Sequence, residues 1–298
     1  MNNKIQMSRR SFIASSAMGA LGCVTQLPKN YSAYETVSLG KSGITTSRLG
    51  FGTGVSSWNR SSALARKLGK EKAVKLIRTA YDRGVRFFDT ADAYGTHEFV
   101  RDALKDVPRE SYVITTKYTC RGGIPASDQK DVTTSLDRFL KELATDYIDI
   151  VQIHCVTDKD WDKKLSVHME GLEEAKKKGK IRAHGCSFHS LAALETAAQT
   201  PWLDVAHVRI NPYGRSMSAH PEKVMPVIKK MHAQGKGIIG MKILGVGSLA
   251  KEPGKMDASI AYSLNSGVVD VLNIGFMSIT EVDDMARRIA SIPRVTAL

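Results

Sequence analysis

"EKAVKLIRTAYDRGVRFFDTADAYG" (Glu71–Gly95) contains a helix, a turn, a strand and a loop in succession. Val74, Leu76, Ile77 and Tyr81 fall near one face of a helix, with charged residues between them. Gly84 follows as a stop, because the residue after a helix commonly takes a left-handed backbone that glycine adopts without strain. "VRFFDTA" is then too short and too rich in β-formers for another helix and predicts a strand. That strand ends on an acid, Asp89, and Tyr94 lies five residues further on.

The unit recurs along the chain. The β-rich runs are "RLGFGTG" (Arg48–Gly54), "VRFFDTA" (Val85–Ala91), "YVITTKY" (Tyr112–Tyr118) and "YIDIVQIH" (Tyr147–His154). They continue with "IRAHGCSF" (Ile181–Phe188), "DVAHVRI" (Asp204–Ile210), "GIIGMKI" (Gly237–Ile243) and "VVDVLNIG" (Val268–Gly275). Helical patterns such as "VTTSLDRFLKELAT" (Val132–Thr145) lie between them. Eight strand–helix units with no Ser/Gly/Pro-rich linker predict one α/β domain, a (β/α)8 TIM barrel, over residues 33–298. "ETVSLGKSGITTS" (Glu35–Ser47) predicts a β-hairpin cap that turns near Lys41–Gly43 and plugs the barrel bottom. An open doubly wound sheet would want a G-x-G-x-x-G turn after an early strand. Only "GFGTG" (Gly50–Gly54) is present, so the barrel is preferred.

Catalytic side chains of such barrels come from the C-terminal ends of different strands. Here consecutive strands end in Asp89, with Tyr94 in the loop beyond, then Lys117, then His154. Each alone has an ordinary explanation: a cap, a packing ring, a solvated cation, a hydrogen-bonded core imidazole. Together at adjacent strand ends they form a candidate catalytic set. The four cysteines, Cys23, Cys120, Cys155 and Cys186, match no zinc spacing or disulfide framework, and no metal site is expected.

At these residues the chain resembles the aldo-keto reductase family. The resemblance is carried by "GVRFFDTADAYG" (Gly84–Gly95), "ITTKY" (Ile114–Tyr118), "DYIDIVQIH" (Asp146–His154) and "GKIRAHGCS" (Gly179–Ser187). "LGKSGITTSRLGFGTG" (Leu39–Gly54) resembles the family's cap and first strand, and "ILGVGSL" (Ile243–Leu249) its glycine-bearing loop. The resemblance implies reversible hydride transfer between a nicotinamide cofactor and a carbonyl or alcohol. Tyr94 is then the general acid or base, and Lys117 lowers its pKa from about 10. Asp89 holds Lys117, and His154 orients the substrate oxygen.

The resemblance also implies cofactor contacts from Thr53, Asp89, Ser187, His207, Met241, Lys242 and Ser278, and from the backbone at Leu244, Gly245 and Gly247. Phe188 stands where the family usually has asparagine, His207 where it has glutamine, and Met241 where it has an aromatic ring. NADP is favoured by the family's habit and by the net charge of +13, with NAD as the alternative because Glu281, Asp283 and Asp284 follow the last strand. The chain ends soon after the last helix at "SIPRVTAL", which predicts an open mouth and a sugar or other polar carbonyl substrate. Two other classes stay open: a barrel that senses cofactor redox state for a partner, and a non-redox sugar-binding barrel. The lysines are spread over several helical segments, so a nucleic-acid partner is not expected.

"SRRSFIASSAMGALGC" (Ser8–Cys23) precedes all of this. Paired Arg9 and Arg10, then Phe12 and a run of small apolar residues, resemble a twin-arginine export signal. Residues 1–32 are thus expected to be a leader and linker read by the twin-arginine machinery, and the folded enzyme to work in the periplasm. "ALGC" (Ala20–Cys23) offers lipid anchoring at Cys23 as an alternative. No apolar run reaches the roughly 18 residues of a membrane span.

Overall fold

The computed structural model describes residues 29–57, 59–119 and 131–295. The leader residues Arg9, Arg10 and Cys23, and Cys120, lie outside them. Eight parallel strands close into a barrel: β3 (Leu49–Gly52), β4 (Phe87–Asp89), β5 (Val113–Tyr118), β6 (Ile148–Val156), β7 (Ile181–Phe188), β8 (Val205–Arg209), β9 (Gly237–Met241) and β10 (Val271–Ile274). Neighbours in the barrel are consecutive in the chain, and β10 closes on β3. Each of the eight predicted runs supplies one strand.

The helix expected from Glu71 belongs to α1 (Ala63–Arg83), which starts earlier and breaks at Gly69, where φ is 72°. Gly84 caps it at φ 115°, its N–H donating to the carbonyls of Ala80 and Tyr81. The buried face of α1 includes Ala73, Leu76, Ile77 and Ala80. The main apolar cluster joins that face to Leu49, Phe51 and Phe88 on the outside of the barrel wall.

The hairpin is β1 (Thr36–Ser38) paired antiparallel with β2 (Thr45–Ser47). Leu39 and Ile44, at its turn, join a second apolar cluster inside the barrel. Seven of the eight strands contribute to it: Phe87, Val113, Ile150, Ala183, Val205, Ile239 and Val271. These residues lie at or near the N-terminal ends of their strands, so the hairpin is a plug at the barrel bottom. Gly40 makes the close approach. Its φ is 50°, and a Cβ there would stand 2.4 Å from the Gly235 carbonyl oxygen.

Residues 29–32, grouped by sequence with the leader's linker, are already docked. Asn30 bridges to Pro293, and the Tyr31 amide donates to the Ile292 carbonyl at 3.1 Å. Among the described residues no helix is long and apolar enough to cross a membrane.

A sealed plug leaves the opposite mouth as the open end. Ile44→Ala should remove a side chain that is 1% exposed. Urea unfolding of this variant should show a loss of about 2–5 kcal/mol, the range for truncating a buried isoleucine. A loss under about 1 kcal/mol would mean that the hairpin is a loose cover.

Candidate active site

Strand β4 is short because Asp89 ends it, and the chain turns at once into a 3₁₀ turn at Asp92–Tyr94. That turn is tied down from outside. Asp92 receives Arg138 of α3 (Val132–Leu143) at 2.6 Å and Arg60 at 3.2 Å. Arg138 also meets Glu142 one turn on, at 2.8 Å. Glu142 in turn bonds the His97 Nδ1 at 2.6 Å, and His97 Nε2 bonds Thr116 of β5 at 2.7 Å. The loop carrying Tyr94 is therefore locked to the barrel by a chain of charged groups.

Inside the mouth, Lys117 Nζ donates to Asp89 Oδ1 and, at 3.0 Å, to the Thr90 carbonyl. Asp89 Oδ2 accepts from Asn273 of β10 at 2.9 Å. The same amide nitrogen lies 3.1 Å from His207 Nε2, and His207 Nδ1 lies 2.7 Å from Gln152 Oε1. An amide donating to Nε2 puts the imidazole proton on Nδ1, which then donates to Gln152. Burial, helped by the charge of Lys117, holds the His207 imidazole well below its ordinary range and keeps it neutral. Sequence reading missed Asn273 and Gln152. The available signal was a lone amide within an apolar strand run, "VVDVLNIG" and "YIDIVQIH".

Tyr94 and His154 face each other edge to face, ring centroids 5.5 Å apart, and Lys117 Nζ is 4.8 Å from the Tyr94 ring centroid. The four expected catalytic residues are thus together. One expectation is corrected. The net shift of the Tyr94 pKa in this geometry is upward, where a lowering by Lys117 was expected. Burial first, then the charge of Asp89, pushes the phenol well above its ordinary value. The physical reason is that the Lys117 charge is already matched by Asp89. His154 is neutral, held well below its usual range by burial first and then by the charges of Lys117 and Lys242.

A cavity of about 430 Å³ opens beside this group, a normal size for a small-molecule site. Asp89, Tyr94, Lys117, His207, Met241, Lys242, Leu244, Gly247 and Asn273 line it. Four expected cofactor residues do not. Thr53 is fully buried, donating to the Asp89 carbonyl at 2.8 Å and bonding the Thr96 hydroxyl at 2.7 Å, so it braces the end of β4. Ser187 accepts the Cys155 N–H at 2.9 Å and braces the turn after His154. Ser278 caps α9 (Ile279–Ala290), while Glu281 and Asp284 of that helix face the cavity. Gly245 lies beneath the lining loop. Its amide and that of Gly247 already donate to the Lys242 and Leu244 carbonyls, at 2.8 and 2.9 Å, which argues against a pyrophosphate cradle built from them. Arg287 and Arg288 are both paired with Asp284.

The cavity nevertheless fits a nicotinamide group. Asn273 Oδ1 is a buried acceptor with no donor, in the cavity wall. A carboxamide N–H would satisfy it, and the Met241 thioether offers a polarizable surface to a flat ring. Among the described residues no three His, Cys, Asp or Glu side chains converge as metal ligands.

A closed barrel with an acid, an amine, a phenol and a neutral imidazole at one mouth defines a class of carbonyl–alcohol oxidoreductases. The chain belongs to the aldo/keto reductase family, whose model matches residues 48–281. Members of that family are NAD(P)-dependent oxidoreductases. The chain is 30% identical over 207 residues to the aldo-keto reductase YhdN of Bacillus subtilis, covering 65% of this chain and 58% of that protein. It is 30% identical over 208 residues to the methylglyoxal reductase DkgB of Salmonella typhi, covering 69% and 73% respectively. An aldo-keto reductase from Bacillus halodurans in its holo form superposes with a TM-score of 0.70 at 21% identity, over 88% of this chain and 93% of that one. One from Klebsiella pneumoniae, in complex with NADP and acetate, gives 0.64 at 20% identity, over 86% and 90%.

The charged lock behind Tyr94 has a pH signature. Burial acts to raise the Glu142 carboxyl, but the hydrogen bonds from His97 and Arg138 outweigh it and bring the pKa to about 2. A depressed carboxylate stabilises the fold above its unfolded pKa and loses that effect as pH falls through the folded value. Glu142→Gln should therefore cost on the order of 1–3 kcal/mol at neutral pH, the gap narrowing from about pH 5 down to about pH 2. Urea midpoints across that range check it. A gap that stays constant with pH would assign the loss to packing.

Proposed function

We propose that the chain transfers a hydride between NADP(H) and a small carbonyl or alcohol compound, with Tyr94 as the proton donor in reduction. One observation carries this reading: Asp89, Tyr94 and Lys117 line a single cavity with Asn273, whose Oδ1 is unsatisfied, and His154 packs edge to face against the Tyr94 ring. The nicotinamide cofactor, when bound, supplies or accepts the hydride. Asn273 and Met241 would hold its nicotinamide end, with Lys242 beside them.

The protein side chains handle the proton. Reduction places negative charge on the carbonyl oxygen, and an acid must meet it. The raised pKa of Tyr94 keeps its proton in place until that charge develops. Lys117, close to the ring, then stabilises the phenolate left behind. With the Thr119 hydroxyl donating to His154 Nδ1 at 3.3 Å, the Nε2 proton of the neutral imidazole is free to donate to the substrate oxygen. The thiol of Cys155 stays protonated, since burial raises its pKa.

The substrate is a small polar carbonyl compound, of which a sugar is one case. Relatives named methylglyoxal reductase and L-galactose dehydrogenase are consistent with that range. A relative in Escherichia coli is named NADH-specific, and Glu281 and Asp284 in the cavity wall would suit a ribose hydroxyl. Titration with NADPH and NADH separately decides the choice.

Residues 1–32 we read as a twin-arginine leader, with the barrel working outside the cytoplasm. Paired Arg9–Arg10 before Phe12 support this.

Tyr94→Phe should lower turnover on the order of 10²–10⁴-fold, the usual yield of general acid catalysis, while cofactor titration stays near the parent. Near-parental turnover would remove Tyr94 from the proton step. Replacing Arg9 and Arg10 together with lysine should leave active enzyme in the cytoplasmic fraction. Export at the parental level would defeat the leader assignment.

A further inference from the structure

Several arginines around the barrel have acids. Arg109 meets Asp149 at 2.6 Å, Arg182 meets the same carboxylate at 2.7 Å, and Arg138 meets Asp92. Arg209, the last residue of β8, does not. Its guanidinium donates to the His189 Nδ1, and its Nε is buried with no acceptor. On the neighbouring strand Arg209 is in register with Met241, so Lys242 follows directly beside it. Lys242 lines the cavity, and no carboxylate among the described residues pairs with either cation.

The surroundings hold these cations in place without neutralising them. His189 stays neutral, its pKa pulled down to about 3 by burial and by the charges of Arg209 and Lys242. Its Nε2 faces the Cys155 sulfur at 3.7 Å. Burial first, then Arg209, lowers the Lys242 ammonium from its ordinary value. Lys242 has a left-handed backbone, φ 59°, and its carbonyl is pinned by the buried Asn211 amide at 3.1 Å. A left-handed lysine held by a buried amide is costly, and such strain persists where surrounding structure demands it. Two partly buried cations without an acid are likewise unfavourable until an anion joins them.

We propose that Arg209 and Lys242 form an anion subsite beside Tyr94 and His154, which holds the carboxylate of a carbonyl substrate. The proposal rests on the reductase reading above and narrows its substrate to acidic carbonyl compounds. The cofactor's phosphates are the rival occupant. The cavity wall runs over β9 and β10 toward Glu281 and Asp284 of α9, and Arg209 and His189 are not part of it. They stand on the side of β6, β7 and β8, where His154 and Cys155 are. Arg209 thus lies outside the groove that would take the dinucleotide, while Lys242 stands in the wall of that groove next to it. In the step itself the carbonyl π bond breaks, a C–H bond forms with the cofactor's hydride and an O–H bond forms with the Tyr94 proton. The carboxylate is unchanged and serves to orient.

The test compares probes that differ only in charge: gamma-hydroxybutyrate and its amide for binding, and succinic semialdehyde and its amide for turnover. Calorimetry on the full chain should find the carboxylate bound about tenfold tighter or more, the size of one charge-assisted contact. Arg209→Gln should bring the two within about twofold, and Arg209→Lys should restore part of the difference. Should Arg209→Gln fail to fold, Lys242→Gln reads the same difference. Equal binding of the two probes by the parent, or an undiminished carboxylate advantage in Arg209→Gln, overturns the subsite. So does a tenfold loss of NADP affinity in Arg209→Gln, which would assign the arginine to the cofactor. A parent that reduces the neutral aldehyde but binds both probes equally loses the subsite and keeps the reductase reading. A parent that prefers the carboxylate probe but oxidises no NADPH with either aldehyde defeats the reductase reading, and the substrate assignment with it.

Discussion

The ion pair between Asp89 and Lys117 is the constraint on which the site depends. Both side chains are almost fully buried, at 5% and 1% exposure. Taking two charges from water costs several kcal/mol per ion, and their attraction repays this only when the remaining hydrogen-bonding positions are filled. Here they are. Lys117 also donates to the Thr90 carbonyl, and Asp89 also accepts from Asn273, which stands against the His207–Gln152 pair. The network ties together the second, third, fourth, sixth and eighth barrel strands. Replacing one member would strand a buried charge or amide, so the mouth keeps one arrangement.

That arrangement makes the chemistry asymmetric in a useful way. Asp89 matches the lysine charge, so Tyr94 is not deprotonated in advance and remains an acid. Lys117 remains close to the ring to stabilise the phenolate once the proton has moved. His154, buried near Lys117 and Lys242, stays neutral, and in the proposed step it would donate with no charge of its own. The bottom of the barrel contributes by being closed. Leu39 and Ile44 fill it, which leaves the reactive end as the open mouth.

Much of this was legible in the sequence because it is local. Helix periodicity before Gly84, β-rich runs ending in Asp89, Lys117 and His154, and the hairpin at Leu39–Ile44 are patterns within short windows. What was not legible depends on which strands become neighbours. Asn273 reaches Asp89 across a separation of 184 residues, through the closure of β10 on β3. Thr53 and Ser187 sit where family resemblance expects contacts, yet their hydroxyls brace backbone groups on adjacent strands. Gly245 and Gly247 suggest an open loop by composition, and the amides of both are used within the loop. Arg209 is a lone charge in an apolar run, but only the fold shows that no acid faces it. The break of α1 at Gly69 is local, and a glycine inside a charged stretch was its only sign.

The central claim is that this mouth moves a hydride to a carbonyl carbon while Tyr94 supplies the proton. The most direct measurement uses reduced cofactor deuterated at the transferring carbon, with a neutral aldehyde as acceptor. The alcohol is then examined by NMR and mass spectrometry. The account predicts one deuterium on the carbinol carbon, none exchanged with solvent, and a hydroxyl proton drawn from water. Alcohol formed without deuterium at that carbon, or no alcohol from purified chain that binds the cofactor, would contradict it.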